Sequence, residues 1–78
     1  MRTIQEIPLS QVNRDRHYNL TKAFVYALCM DNGAEFPPIH VARVEGEDYL
    51  WRICDGGHRT AAARMLGRST IRARFYVP

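Results

Sequence analysis

The sequence predicts an α+β fold, a small mixed sheet carrying two helices, and three observations predict it. Hydrophobic residues alternate near both ends of the chain, but recur at helical spacing in two segments between. Turn signals at Asn32-Gly33, Glu45-Gly46, Asp55-Gly56-Gly57 and Gly67 separate these segments. Two short β-rich segments follow one another directly and read as a hairpin, so the sheet is mixed or antiparallel. The resulting order is β-α-β-β-α-β.

Thr3 to Leu9 alternates, with Ile4, Ile7 and Leu9 apolar, and reads as a strand. Pro8 is tolerated near its end or on an edge. Ser10 to Tyr18 is polar and charged and reads as a loop. Asn19 is a candidate N-cap. Beyond it Leu20, Ala23, Phe24, Ala27 and Leu28 define one face of an amphipathic helix, and Asn32-Gly33 ends that helix. Pro37-Pro38 forces an extended entry into the second strand, Ile39 to Val44. After the turn at Glu45-Gly46-Glu47-Asp48 comes the third strand, Tyr49 to Cys54, rich in aromatic and branched residues. His58 to Leu66 is an alanine-rich helix stopped by Gly67. Ile71 to Val77 then alternates, with Ile71, Ala73, Phe75 and Val77 on one face and Arg72, Arg74 and Tyr76 on the other.

Length and composition bound the function. The 78 residues make one domain, 1–78, and an apolar fraction of 46% with 24% charged residues excludes a disordered chain. No apolar run approaches the roughly 18 residues of a membrane-spanning helix. Met1 to Leu9 lacks the continuous apolar core of a signal peptide, so a cytoplasmic protein with no membrane partner is expected. Cys29 and Cys54 are too few for a disulfide scaffold, and Cys54 reads as a small buried hydrophobe. His17, His40 and His58 lack metal-ligand spacing, so no metal centre is expected from the protein's own side chains. Net charge is +3, and every basic residue but Lys22 is arginine, whose planar fork suits phosphate. Arg52, Arg72 and Arg74 on the later strands give weak, sequence-indifferent, salt-sensitive contact with duplex DNA as an expectation. No pattern of aromatic residues marks a stacking platform for single strands.

The segment Asp55-Gly56-Gly57-His58-Arg59-Thr60 concentrates the chemistry. It joins a strand to a helix through two glycines. A helix's first turn leaves backbone N–H groups unpaired and carries the positive end of its dipole, and glycines let a ligand come close to that backbone. His58 and Arg59 add side-chain donors. Asp-Gly is also a common hairpin turn, but a helix and not a strand follows here. A histidine on an apolar helix face is more often a packed residue than a catalyst, and that alternative stands for His58.

These residues resemble the ParB/sulfiredoxin superfamily. The resemblance runs through Ile7-Pro8-Leu9-Ser10-Gln11-Val12, Phe36-Pro37-Pro38-Ile39-His40-Val41, the strand Tyr49 to Cys54, the turn Gly56-Gly57-His58-Arg59, Ala61-Ala62 and the closing Ile71 to Phe75. It covers nearly the whole chain in the right order. It implies a nucleotide site, because sulfiredoxins hold ATP phosphates on a Gly-Cys-His-Arg turn, ParB-type domains hold CTP on a Gly-X-Arg-Arg turn, and free serine kinases use an Asp-Gly-X-His-Arg turn for phosphoryl transfer. By position His58 and Arg59 match the phosphate-binding pair. Lys22 falls near a lysine that contacts nucleotide in sulfiredoxins, and Arg14 or Arg16 lies where ParB domains carry their first arginine motif. A solvated charged loop is the competing reading for these three. The sulfiredoxin nucleophile is replaced by Gly57, so reduction of sulfinic acids by that mechanism is not expected. The helix-turn-helix that follows this region in ParB proteins is not found before Pro78.

The function implied is binding of a nucleoside triphosphate, ATP or CTP with magnesium, at Gly56, Gly57, His58, Arg59 and Thr60, with Lys22, Arg14 and Arg16 contributing. The setting implied is plasmid or phage DNA maintenance or regulation. Two alternatives stay open. One is a small phosphotransferase, ATPase or nuclease with Asp55 as its catalytic carboxylate. The other is a protein-binding module or inhibitor that has lost nucleotide chemistry.

Overall fold

The structure, a computed structural model, describes residues 2–14 and 18–77. Strand β1 (Arg2–Pro8) leads through a 3-10 turn (Leu9–Gln11) toward helix α1 (Leu20–Asp31). The hairpin β2 (Ile39–Arg43) and β3 (Trp51–Asp55) follows, then helix α2 (Gly57–Met65) and strand β4 (Thr70–Tyr76). The sheet order is β1-β4-β2-β3. β1 and β4 run antiparallel, as do β2 and β3, whereas β4 and β2 run parallel, so the sheet is mixed as the alternating and helical periods predicted.

Burial follows the pleat. Ile7, Ile39, Val41, Ala73 and Phe75 turn inward, and the Trp51 ring packs on Phe75 with centroids 4.4 Å apart. The end of the first predicted strand and the start of the segment read as a loop from Ser10 are built into the core. Leu9 and Val12 are buried, and Arg64 of α2 ties them down by donating Nη2 to the Leu9 carbonyl at 3.1 Å and the Val12 carbonyl at 2.9 Å. Burial, and then the charge of Arg14, holds the Arg64 guanidinium below its ordinary pKa.

The buried face of α1 is only partly the expected one. Ala23, Ala27 and Met30 face inward, while Leu20, Phe24 and Leu28 stand half or more exposed. The reason lies in α2, whose Thr60, Ala61, Ala62 and Ala63 are all buried. A helix with four consecutive buried residues is covered on both sides; α2 meets β2 on one and α1 on the other. Its alanines take α1 at close range through small residues, so the larger side chains of α1 turn away. Cys54, expected to be buried, is exposed at the end of β3, and Cys29 is exposed on α1. A register shift between His40 and Val41 sets Asp55 opposite His40, extending β3 by one residue to the edge of the glycine turn.

Candidate functional site

Gly56 makes the turn from β3 into α2. Its φ of 113° and ψ of 26° are left-handed, a conformation that favours glycine. A Cβ placed there would stand 2.5 Å from Ile39 Cγ2 and 2.8 Å from Ile39 Cβ, and Ile39 is itself buried with no room to move. Thr60 secures the turn from beneath: its backbone N–H and its hydroxyl both donate to the Gly56 carbonyl at 2.9 Å. The Thr60 side chain is fully buried and shapes the turn.

Thr60 is the first residue of α2 to bond back into the helix, so the N–H groups of Gly57, His58 and Arg59 have no intrahelical acceptor. No side chain caps them. The N-terminus of α1 differs, since Asn19 accepts there from the Lys22 N–H at 3.0 Å. The open end of α2 faces a cleft of about 300 Å³ shared with Lys22 and Tyr26 of α1 and with Cys54 and Asp55 of β3. Lys22 holds its ammonium 5.7 Å from the centre of the Tyr26 ring.

The side chains of the turn are firmly placed. The Asn19 N–H donates to His58 Nε2 at 2.9 Å. That nitrogen is therefore the unprotonated one, and Nδ1–H is the donor available to a ligand. The Tyr18 and Tyr26 rings meet the imidazole edge-on, which fixes its orientation. Arg59 spends Nη1 on the carbonyls of Pro37 at 2.7 Å and Pro38 at 3.0 Å, and Nη2 on Asp55 at 3.1 Å. Of its five N–H donors, one on Nη2 and the one on Nε are left for a ligand. Asp55 is an exposed carboxylate at the cleft rim, held by this ion pair.

A second cleft, of about 680 Å³, adjoins the first along Ile53 and Gly57. Tyr18, Leu20, Ala61 and Met65 give it apolar walls, and Arg14 and Arg64 bring charge. Of the expected residues, the structure gathers Asp55, Gly56, Gly57, His58, Arg59 and Lys22 in the first cleft and places Arg14 in the second. Arg16 lies outside the described residues. Tyr18, Tyr26 and Arg64 were not foreseen. The spacing from Gly57 through Ala61 to Arg64 and Met65, one face of α2, carried the signal for Arg64. A separate cleft of about 680 Å³ lies between Met30, Phe36, Ala63 and the start of β4, and shares only Arg59 with the first. Among the described residues no three His, Cys, Asp or Glu side chains gather as a metal site, and no helix is long and apolar enough to cross a membrane.

No protein-family model and no curated protein matches this sequence. Solved structures do. Sulfiredoxin from Arabidopsis thaliana superposes with a TM-score of 0.78 at 26% identity, over 97% of this chain and 86% of that one. A free serine kinase in complex with AMP gives a TM-score of 0.78 at 23% identity, over 94% of this chain but only 30% of the kinase. The chromosome-partitioning protein ParB from Caulobacter crescentus, truncated at its C-terminus and complexed with CTP-gamma-S, gives 0.80 at 16% identity, over 97% of this chain and 45% of that one. The three share one architecture with this chain, which has the ParB/sulfiredoxin fold.

Proposed function

We propose that the chain binds a nucleoside triphosphate, ATP or CTP, with the phosphates on the N-terminus of α2 and the nucleoside in the adjoining cleft. The observation that carries this reading is the uncapped first turn of α2, opened by Gly56 toward a cleft that also holds a lysine and an imidazole donor. The ligands named for the kinase and the partitioning protein, AMP and CTP-gamma-S, support it. Gly57, His58 and Arg59 would donate backbone N–H groups. His58 would add Nδ1–H, Lys22 its ammonium and Arg59 its two remaining donors. Arg14, with Arg16 of the same loop, would serve the nucleoside end, where Tyr18 and Met65 offer apolar surface.

The site fits phosphate better than it fits a metal held by protein. Among the described residues Asp55 is the only carboxylate on the rim, so magnesium would arrive with the phosphates and keep most of its waters. Asp55 also bears on the enzymatic alternative. Its carboxylate is engaged by the Arg59 fork at 3.1 Å, so a binding role is preferred over phosphoryl transfer. A part in plasmid or phage DNA maintenance or regulation is the biological setting proposed. Calorimetric titration with ATP, CTP, GTP and ADP, with and without magnesium, tests the reading on the parent and on Lys22→Ala. Loss of one charged hydrogen bond should weaken binding at least about tenfold. Equal affinity in the variant, or no binding at millimolar nucleotide, would remove the cleft from the account.

A further inference from the structure

The sheet has a second face, and nothing among the described residues covers it. Cross-strand partners share a face, so the register places Arg2 beside Tyr76, Ile4 beside Arg74, Glu6 beside Arg72 and Ala42 beside Arg52. His40 joins them next to Arg74. Both helices lie on the opposite side, with Ile39, Ala73 and the glycine turn. Over the regular register the outer face therefore carries four arginines against one glutamate, and Asp55, set opposite His40 by the register shift, is engaged by Arg59.

These arginines are not held by acids. Among the described residues the one ion pair is Arg59–Asp55, on the other side of the sheet. Glu6 sits opposite Arg72 without forming one. Arg74, on a central strand, has its Nε buried with no hydrogen-bond partner. Arg2 donates to the Tyr76 hydroxyl at 3.1 Å and stacks over that ring at 5.3 Å, yet Tyr76 remains 70% exposed. Ile4 is 47% exposed beside it.

We infer that this outer face binds a single-stranded nucleic acid. Its chemistry is a line of phosphates to pair with Arg52, Arg72 and Arg74 and at least one base to rest on Tyr76 and Ile4. Along β4, Arg72 and Arg74 stand about 7 Å apart, and neighbouring strands are about 5 Å apart, so the cations form a two-dimensional grid that an extended strand can cross. Four strands with their side chains are wider than the roughly 12 Å major groove of a duplex, which a flat sheet cannot enter. A membrane surface fits less well, since among the described strand residues Ile4 is the one large aliphatic side chain that the face exposes. The inference deepens the nucleic-acid part of the reading above but rests on the sheet alone. The glycine turn lies on the other side, so nucleotide and nucleic acid would bind together without competing.

Fluorescence anisotropy with labelled 20-nucleotide single-stranded DNA and RNA, and with the matching duplex, tests it in the full chain. The double variant Arg52→Gln/Arg72→Gln changes two exposed positions of the face. Its control, Arg43→Gln/Arg68→Gln, removes the same charge from exposed positions outside it. The face variant should bind at least about tenfold more weakly at 50 mM salt, and its slope of log affinity against log salt should shrink by about 1.4, or 0.7 for each lost phosphate contact. The control should stay within about threefold of the parent, and saturating ATP or CTP should displace nothing. Equal losses in both variants would reduce the effect to net charge and overturn the inference. So would tighter binding to duplex, or binding to phosphatidylserine vesicles without binding to the oligonucleotide. If nucleotide titration fails while the face variant behaves as described, the turn is misread and the face stands; the reverse pattern removes the face alone.

Discussion

Replacing Gly56 by alanine separates the cap geometry from every other feature of the site. The backbone there has a φ of 113°, and a left-handed conformation costs an L-residue about 1–2 kcal/mol. The new Cβ would meet Ile39 Cγ2 at 2.5 Å. Ile39 is 1% exposed and branched at Cβ, so it cannot swing aside, and overpacking of this kind costs about 1–3 kcal/mol. Together these predict a loss of about 2–5 kcal/mol. A chain of this length has about 4–12 kcal/mol of stability in all. Thermal unfolding followed by far-ultraviolet circular dichroism should show a melting temperature lower by about 10–30 °C, and urea unfolding a lower midpoint with unchanged slope. Gly57→Ala is the companion. As the first residue of α2, lining both clefts, it should keep or slightly raise stability while weakening nucleotide binding. A Gly56→Ala protein within about 0.5 kcal/mol of the parent would refute the argument, because neither strain nor overlap could then be present.

Three further outcomes follow from the packing and the turn. Arg59→Ala should lose about 2–3 kcal/mol in urea unfolding, because the Pro37 and Pro38 carbonyls lose a charged donor, and Arg59→Lys should recover little of it since a point charge cannot replace the fork. Phe24→Glu should leave stability within about 0.5 kcal/mol, whereas Ala27→Leu, pressed against α2, should cost about 1–3 kcal/mol by the same measurement. Incubation with a hyperoxidised peroxiredoxin, ATP and magnesium should restore no reduced enzyme, since Gly57 offers no thiolate at the helix N-terminus. Recovery abolished by Cys54→Ser would instead show that the exposed cysteine in the cleft supplies one.

The glycine turn, the hairpin and the last strand were legible because each is a local signal. Asp55-Gly56-Gly57 followed by an alanine-rich segment allows few conformations, and the alternation of Ile71, Ala73 and Phe75 fixes which face of β4 turns inward. The face of α1 was not legible. Leu20, Phe24 and Leu28 share helical spacing with Ala23 and Ala27, and only the alanine surface of α2 decides which side is buried. The roles of Arg59, Arg64 and Thr60 were hidden for the same reason, since their partners lie on other segments or beneath the turn. Pro37 and Pro38 were recognised as an extended entry, but that their carbonyls take up the Arg59 fork depends on the docking of α2 against β2. Asp55 was read as the first residue of the glycine turn, whereas in the structure it closes β3, and its pairing with Arg59 follows from the first turn of α2.

The backbone amides of α2 test the central claim most directly. In a nitrogen-15-labelled sample, addition of ATP or CTP with magnesium should shift the N–H resonances of Gly57, His58 and Arg59 more than any others, with smaller shifts at Lys22 and Tyr26 across the cleft. Among the described residues no acceptor meets those three donors, so a phosphate settling on them must be felt there first. Shifts confined to other parts of the chain, or none at millimolar nucleotide, would contradict the account.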